Sequence, residues 1–328
     1  MAAYQPTKTH SAGIIGLGGM GRVMLAEMNA HPRFEVVAAW DPDDRACTKA
    51  VKGNSWLEIV HRQEDLVARP DIDLVYIATP PRSHAVYLEA AWDAGKAAFC
   101  EKPLGVDLEM SRALLADVKS SGVKTAINFT HAASLDAERA ELALKAGDLG
   151  RVAYVSMNLH LPTWPRDFQK DADWLRYRQE DGFTREVLSH WIYLSLRLFG
   201  PVEGVFAHTH YPEDESLAEN RVIAEIDFNG TPVLLNAGVG GRGPVGMEYT
   251  VWGSKRSLRL SSEGGMRVHE ADGWRPFLGT KEPSATDRVR SLDNLADLLD
   301  GKPNTAATLG QAFDVQSVIE EILSNGDA

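Results

Sequence analysis

Cysteine is scarce: Cys47 and Cys100 are the only two in 328 residues. That is too few for a disulfide framework or a cysteine-rich metal centre, and no metal is expected. Cys100 closes an apolar run, where a small buried thiol belongs. Long hydrophobic runs are also missing. None approaches the roughly 20 residues of a membrane span, so no membrane partner is expected. The opening M-A-A-Y-Q-P-T-K-T-H lacks a charged segment followed by an apolar stretch. No secretory leader is read there, and a cytoplasmic location is expected. Positive charge is in deficit: 34 Lys and Arg face 46 Asp and Glu, a formal net charge of −12. A nucleic-acid partner needs a basic face that displaces counterions from phosphates, so that class is excluded. A local basic cluster can still grip a small anion.

What is present is ordinary globular material, 44% hydrophobic and 24% charged, in a length that suits two domains. The first part alternates short apolar runs with helical patterns. Strands are expected at Ala12 to Ile15, Phe34 to Trp40, Leu74 to Ala78, Ala97 to Cys100 and Thr125 to Asn128. Helices are expected at Met20 to Ala30, Ser83 to Ala94 and Leu108 to Ser120. This order predicts parallel strands with crossover helices, a doubly wound sheet. After about residue 150 the texture changes. Val152 to His160 and Arg221 to Phe228 read as longer strands of mixed polarity. Asn229-Gly230 reads as a hairpin turn. Thr250 to Trp252 and Ser257 to Leu260 flank Gly253, and Thr305 to Leu323 reads as a closing helix. The expected fold is α/β: a Rossmann domain over residues 1–128, then an α+β domain over 129–328 with a large, mostly antiparallel open sheet.

Gly16 to Gly21 reads G-L-G-G-M-G, between a strand and a helix. In that context Gly16 permits a tight turn and Gly18 lets the backbone approach a pyrophosphate. Gly21 lets helix and strand pack closely. Gly18, Gly19, Met20 and Gly21 then present the helix N-terminus to the phosphates. Asp41 ends the second strand, 20 residues beyond Gly21. A carboxylate there accepts from ribose hydroxyls and repels a 2′-phosphate, which favours NAD over NADP. Arg45 nearby leaves NADP open, and a turn-forming Asp before Pro42 is the plainer alternative.

Strand ends are where ligands bind in such sheets. Thr79 and Pro80 lie at one and Glu101-Lys102 at another. His84, opening the next helix, is either a cofactor contact or a capping histidine. Lys102 is either a fixed cation that stabilises a reacting oxygen or a solvated lysine beside Pro103. Gly182 to Phe199 reads as one helix with an apolar stripe at Val187, Trp191, Leu194 and Leu198. Glu186 and His190, four apart, share its other face, which Tyr193 and Arg197 continue. They are either an acid/base pair or the wet side of an amphipathic helix. Trp164, Arg166, Trp174, Arg176, Arg178 and Arg185 cluster before and within it. Arginines suit carboxylates or phosphates, so an acidic sugar or a carboxylated ring compound is one candidate substrate.

The order G-L-G-G-M-G, Asp41, A-T-P-P-R-S-H, E-K-P-L, then L-K-A-G-D-L-G-R-V and G-F-T-R-E-V-L-S-H-W resembles the Gfo/Idh/MocA oxidoreductases. The resemblance implies an NAD(P)-dependent dehydrogenase acting on a sugar, polyol or related hydroxy compound. It implies a homodimer or homotetramer formed through one side of the open sheet. It matches Lys102 to the family's catalytic lysine and His190 to its catalytic histidine, with Glu186 where an Asp is usual. Asn128 fits a nicotinamide-side position, Trp174 and Arg176 fit positions near the nicotinamide, and Trp174, Arg176 and Arg178 are expected to contact the substrate. Thr130-His131 departs from the arginines common there. Some proteins on this scaffold have lost catalysis and act as sensors, which stays as the alternative.

Overall fold

In the computed structural model the described residues are 8–261, 265–277 and 287–325. Residues 1–7, most of the stretch read for a leader, lie outside them, as does the end of the chain from 326. The chain divides into two compact units. One takes residues up to Thr130 and a return segment ending at Gly310; the other takes the rest.

The first unit runs β1 (His10–Ile15), α1 (Gly19–Ala30), β2 (Phe34–Trp40), α2 (Asp44–Gly53), β3 (Glu58–Ile59) and α3 (Gln63–Val67). It continues with β4 (Leu74–Ile77), α4 (His84–Asp93), β5 (Ala97–Glu101), α5 (Leu108–Ser121) and β6 (Thr125–Asn128). The six strands form one sheet in the order β3-β2-β1-β4-β5-β6, and every pairing is parallel. Strands such as β4 are buried along their whole length because helices cover both faces. Gly122 ends α5 in the left-handed conformation at φ 65°, as a terminal glycine permits.

The second unit begins near α6 (Thr130–Ala133) and α7 (Leu135–Lys145). It continues through β7 (Val152–Leu161), α8 (Ser189–Phe199), β8 (Val202–His210), β9 (Arg221–Phe228), β10 (Thr231–Val239), β11 (Gly246–Gly253), β12 (Ser257–Ser261), β13 (Gly265–Glu270) and β14 (Gly273–Pro276). These strands form an eight-stranded sheet in the order β14-β13-β12-β11-β7-β10-β9-β8. Only β7 and β10 pair in parallel; the other neighbours are antiparallel. The β9–β10 turn has Asn229 at φ 51° and Gly230 at φ 79°, the positive pair that a two-residue hairpin requires. Along β7, Val155, Met157, Leu159 and Leu161 are buried while Asn158 is exposed, so one sheet face packs and the other is open.

The chain then returns to the first unit with α9 (Asp287–Asp300) before α10 (Leu309–Ser324). The division expected at 128/129 assigns this segment to the second domain. Its Leu292, Leu295 and Ala296 instead enter the core with Met24, Leu25 and Met28 of α1. Asp300 accepts from Arg33 at 2.7 Å and lies 3.1 Å from His10 Nε2. The closing helix is also shorter at its start than the Thr305 onset expected.

In the second unit Arg197 of α8 pairs with Glu141 of α7 at 2.8 Å and donates to the carbonyls of His131 and Ala132. The His131 ring lies edge-on to Trp191 at 4.6 Å, and Trp191 stacks on Tyr249. His131 Nδ1 is buried with no hydrogen-bond partner among the described residues. Burial, assisted by the Arg197 charge, pushes its pKa from 6.5 down to about 4. The depressed value means that the unfolded chain binds the proton first. Stability is therefore present above pH 6.5 and lost as pH falls towards 4, by about 3 kcal/mol in all. Unfolding followed against pH should fall through that window in the wild type and flatten in His131→Phe; an unchanged slope would clear His131 of the effect.

Candidate functional site

The glycine turn is built by exclusion. Gly16 sits at φ +96°, and a Cβ there would lie 2.6 Å from the Ala78 carbonyl. A Cβ on Gly21 would lie 1.9 Å from the Gly16 carbonyl. Neither position admits any other residue without moving backbone. Gly18 and Gly19 differ: a Cβ on either would meet nothing within 4 Å. They border open space. α1 starts there with no side-chain cap and no acidic residue in its first turn. Its leading N–H groups and partial positive charge are thus left for an anion. Asp41 closes the turn from β2. Its Oδ2 accepts from Leu17 N–H at 2.6 Å and its Oδ1 from Asp43 N–H at 2.8 Å. A carboxylate has about four acceptor positions, so Asp41 keeps capacity for ribose hydroxyls. These residues fit a dinucleotide.

Beyond β4 and β5 the expected residues divide by role. His84 is fully buried, with Nδ1 2.9 Å from the Pro103 carbonyl and Nε2 2.8 Å from the Thr79 carbonyl. It ties the two strand-end loops together through Thr79 and Pro103. Burial lowers its pKa against the pull of those carbonyls. Glu101 is also buried, accepting from the Tyr76 hydroxyl and from Asn128 Nδ2, the latter at 2.7 Å. Tyr76, whose phenol burial holds well above its ordinary pKa, escaped the sequence reading. A tyrosine inside the apolar run L-V-Y-I-A was the available signal, because a buried hydroxyl needs a partner. Lys102 is half-buried, just past the end of β5.

In the second unit Gly182 to Phe199 is not one regular helix. Thr184–Leu188 forms a π turn, and α8 follows. Such turns recur at functional positions. Glu219 Oε1 accepts the Thr184 N–H at 2.7 Å. Arg185 places both guanidinium ends on Glu320 at 2.7 Å and donates to the carbonyls of Arg178 and Asp181. Burial works against the Arg185 charge, but Glu320 outweighs it and the pKa rises. Glu219 is pushed up by burial. The helix is sunk into the core more deeply than a stripe implies. Ile192, Tyr193 and Leu194 are buried, while Trp191 and Leu198 are half-buried. On its polar side Arg197 is anchored to α7.

Glu186 accepts from Gln169 Nε2 at 2.8 Å and from Arg166 Nη2 at 3.4 Å. Arg166 Nε donates to Gln169 Oε1 at 2.8 Å. Gln169 was not foreseen, because nothing in the sequence marks a contact across 17 residues. The other arginines are elsewhere. Arg176 pairs with Asp173, Arg178 lies 3.8 Å over the Tyr211 ring and Arg185 faces Glu320. Trp174 and His190 are half-buried. Among the described residues no group of three or more His, Cys, Asp or Glu is arranged to hold a metal ion. None of their helices is long and apolar enough to cross a membrane. Replacing Asp41 with Ser should narrow the preference for NAD over NADP by about tenfold to a hundredfold, the worth of one or two charge-assisted hydrogen bonds. Paired binding titrations read this, and an unchanged ratio would remove Asp41 from the ribose.

Residues 10–129 match a family described as "Oxidoreductase family, NAD-binding Rossmann fold". Residues 138–259 match "GFO/IDH/MocA C-terminal domain". The chain is 34% identical over 148 residues to 1-carboxy-3-chloro-3,4-dihydroxycyclohexa-1,5-diene dehydrogenase of Comamonas testosteroni, covering 44% of this chain and 37% of that protein. It is 31% identical over 153 residues to inositol 2-dehydrogenase of Rhizobium meliloti (strain 1021), covering 47% and 46%. The chain thus spans less than half the length of these relatives. The fold is that of the WlbA dehydrogenase from Bordetella pertussis, solved with NADH and UDP-GlcNAcA. The two agree at a TM-score of 0.82 and 21% identity, over 97% of this chain and 96% of that one. With the glycine turn, Asp41 and both sheets in place, the chain belongs to the Gfo/Idh/MocA oxidoreductase family, and its first unit is that family's NAD-binding Rossmann domain.

Proposed function

We propose that the protein is an NAD-dependent dehydrogenase that oxidises a secondary hydroxyl of a sugar, polyol or related acidic compound. The observation that carries this reading is the open ground at Gly18 and Gly19 before an uncapped helix, with Asp41 closing the same turn. Named relatives acting on inositol and on a carboxylated cyclohexadiene diol support the substrate class.

When bound, NAD supplies the hydride acceptor. The N–H groups of Gly18 to Gly21 would hold its pyrophosphate, and Asp41 would hold the adenosine ribose. Thr79, Pro80 and Asn128, at the strand ends, would contact it on the nicotinamide side. Lys102 donates a hydrogen bond to the reacting oxygen and stabilises the charge that develops there. His190 takes the hydroxyl proton as the carbon gives up hydride, so the alcohol loses two electrons and two hydrogens. Glu186, tied to Arg166 and Gln169, orients the substrate or His190, and Trp174, Arg176 and Arg178 are proposed as further substrate contacts.

A homodimer or homotetramer through the open face of the second sheet belongs to the same proposal. Phe206, Glu225 and Leu234 align across β8, β9 and β10, and Phe206 is 80% exposed. Sedimentation velocity tests it. The buried free thiols Cys47 and Cys100 suit a cytoplasmic setting.

Lys102→Met should abolish NAD reduction while leaving NAD binding within a few-fold. The assay is NADH absorbance with a panel of sugars, inositols and sugar acids, run with NAD and NADP. Full turnover in the variant would overturn the role of Lys102. NAD binding by the wild type without turnover on any compound would favour the sensor.

A further inference from the structure

The loop between β7 and the π turn places one arginine differently from all its neighbours. The Arg166 side chain is 23% exposed and its partner Glu186 is 18% exposed. Its guanidinium lies 4.7 Å over the Phe168 ring and 5.8 Å from Trp164. Trp164 is itself fixed, because its indole N–H donates to the Leu175 carbonyl at 2.9 Å. Phe168 is 77% exposed. Arg166 thus lies between a fixed indole and an exposed aromatic ring, partly withdrawn from water and still reachable from it.

The hydrogen bonds of Arg166 leave its fork underused. A guanidinium has five N–H donors. Nε is engaged with Gln169 at 2.8 Å, and Nη2 makes a single long contact to Glu186 at 3.4 Å. An ideal arginine–carboxylate pair is bidentate at about 2.7–2.9 Å. The same chain builds that ideal pair at Arg185–Glu320, so the loose contact at Arg166 is a local property. Gln169 also bonds Glu186, at 2.8 Å. Glu186 therefore keeps a donor when Arg166 turns to another acceptor, and no carboxylate is stranded by the exchange. The partly desolvated position strengthens any pairing made there, and burial already lowers the Arg166 pKa against the raising effect of Glu186.

We propose that Arg166 is the carboxylate-recognition residue of the substrate site, so that the preferred substrate is an acid of the uronate or carboxylated-polyol class. This rests on the dehydrogenase reading and narrows its substrate. A planar carboxylate takes the fork end-on or side-on while its ring lies along Phe168. Glu186 is the resident competitor, held near Arg166 by Gln169, so a neutral sugar gains nothing from displacing it.

The test is calorimetric titration of the NADH-loaded protein with D-glucuronate and D-galacturonate, against D-glucose and D-galactose. Wild type should bind a uronate more tightly than its neutral parent. Arg166→Met should weaken uronate binding by about tenfold to a hundredfold, the worth of a charge-assisted pair, and so remove the preference. Arg166→Lys, which keeps the charge but loses the fork, should recover part of it. Equal melting temperatures establish that the variants are folded. Uronate affinity unchanged in Arg166→Met overturns the proposal, and so does a wild type that does not distinguish acid from neutral sugar. Arg166-dependent uronate binding without NAD reduction on any compound upholds the anion site and removes the dehydrogenase reading. NAD reduction on neutral polyols with no uronate binding does the reverse.

Discussion

The space between the Gly16 carbonyl and the Gly21 α-carbon is too small for any side chain, and the first unit is arranged around that closeness. A Cβ on Gly21 would sit 1.9 Å from the Gly16 oxygen, well inside van der Waals contact. Because both residues are glycine, α1 starts immediately beyond β1 and aims its N-terminus over the strand ends. Asp41 then reaches the turn from β2, and its bond to Leu17 N–H fixes the carboxylate beside the helix start. Gly18 and Gly19 stay bare toward open space. One steric constraint thus produces the anion site, the position of its selectivity carboxylate and the room for a ligand.

The second unit reaches its order by charge. Arg185 is buried and held by Glu320 of α10 and by two backbone carbonyls, while Glu219 holds the Thr184 N–H. Removing one partner of such a pair strands a buried charge, which costs about 3–5 kcal/mol. The stretch that carries Glu186 and then His190 is therefore pinned at its start, before α8 begins. Arg197 pins the same helix farther along, against α7. By contrast the contact from Arg166 to Glu186 is long, at 3.4 Å, beside the shorter one from Gln169 at 2.8 Å.

Much of the first unit was legible because its signals are local. Continuous apolar runs gave β1, β2, β4, β5 and β6. Asn229-Gly230 fixed the β9–β10 hairpin, since its two positive φ angles leave few other choices. What the sequence hides is tertiary. Leu292 and Leu295 have helical spacing, but nothing in their order says that α9 packs on α1. The π turn depends on Glu219 and Glu320, distant in sequence from Thr184 and Arg185. His84 reads equally as a surface cap until the carbonyls of Thr79 and Pro103 appear on either side of its ring. Among the clustered arginines, composition could not separate Arg166 from Arg176 and Arg178, because the difference is made by Gln169 and Asp173.

The most direct test of the central claim is equilibrium calorimetry of NAD with the wild-type chain and with Gly18→Val. That substitution places side-chain bulk in open space, so it blocks a ligand while leaving the turn intact. Saturable binding of one NAD per chain, lost in Gly18→Val at an unchanged melting temperature, is the predicted result. Equal NAD binding by both proteins, or none by the wild type, would contradict the account.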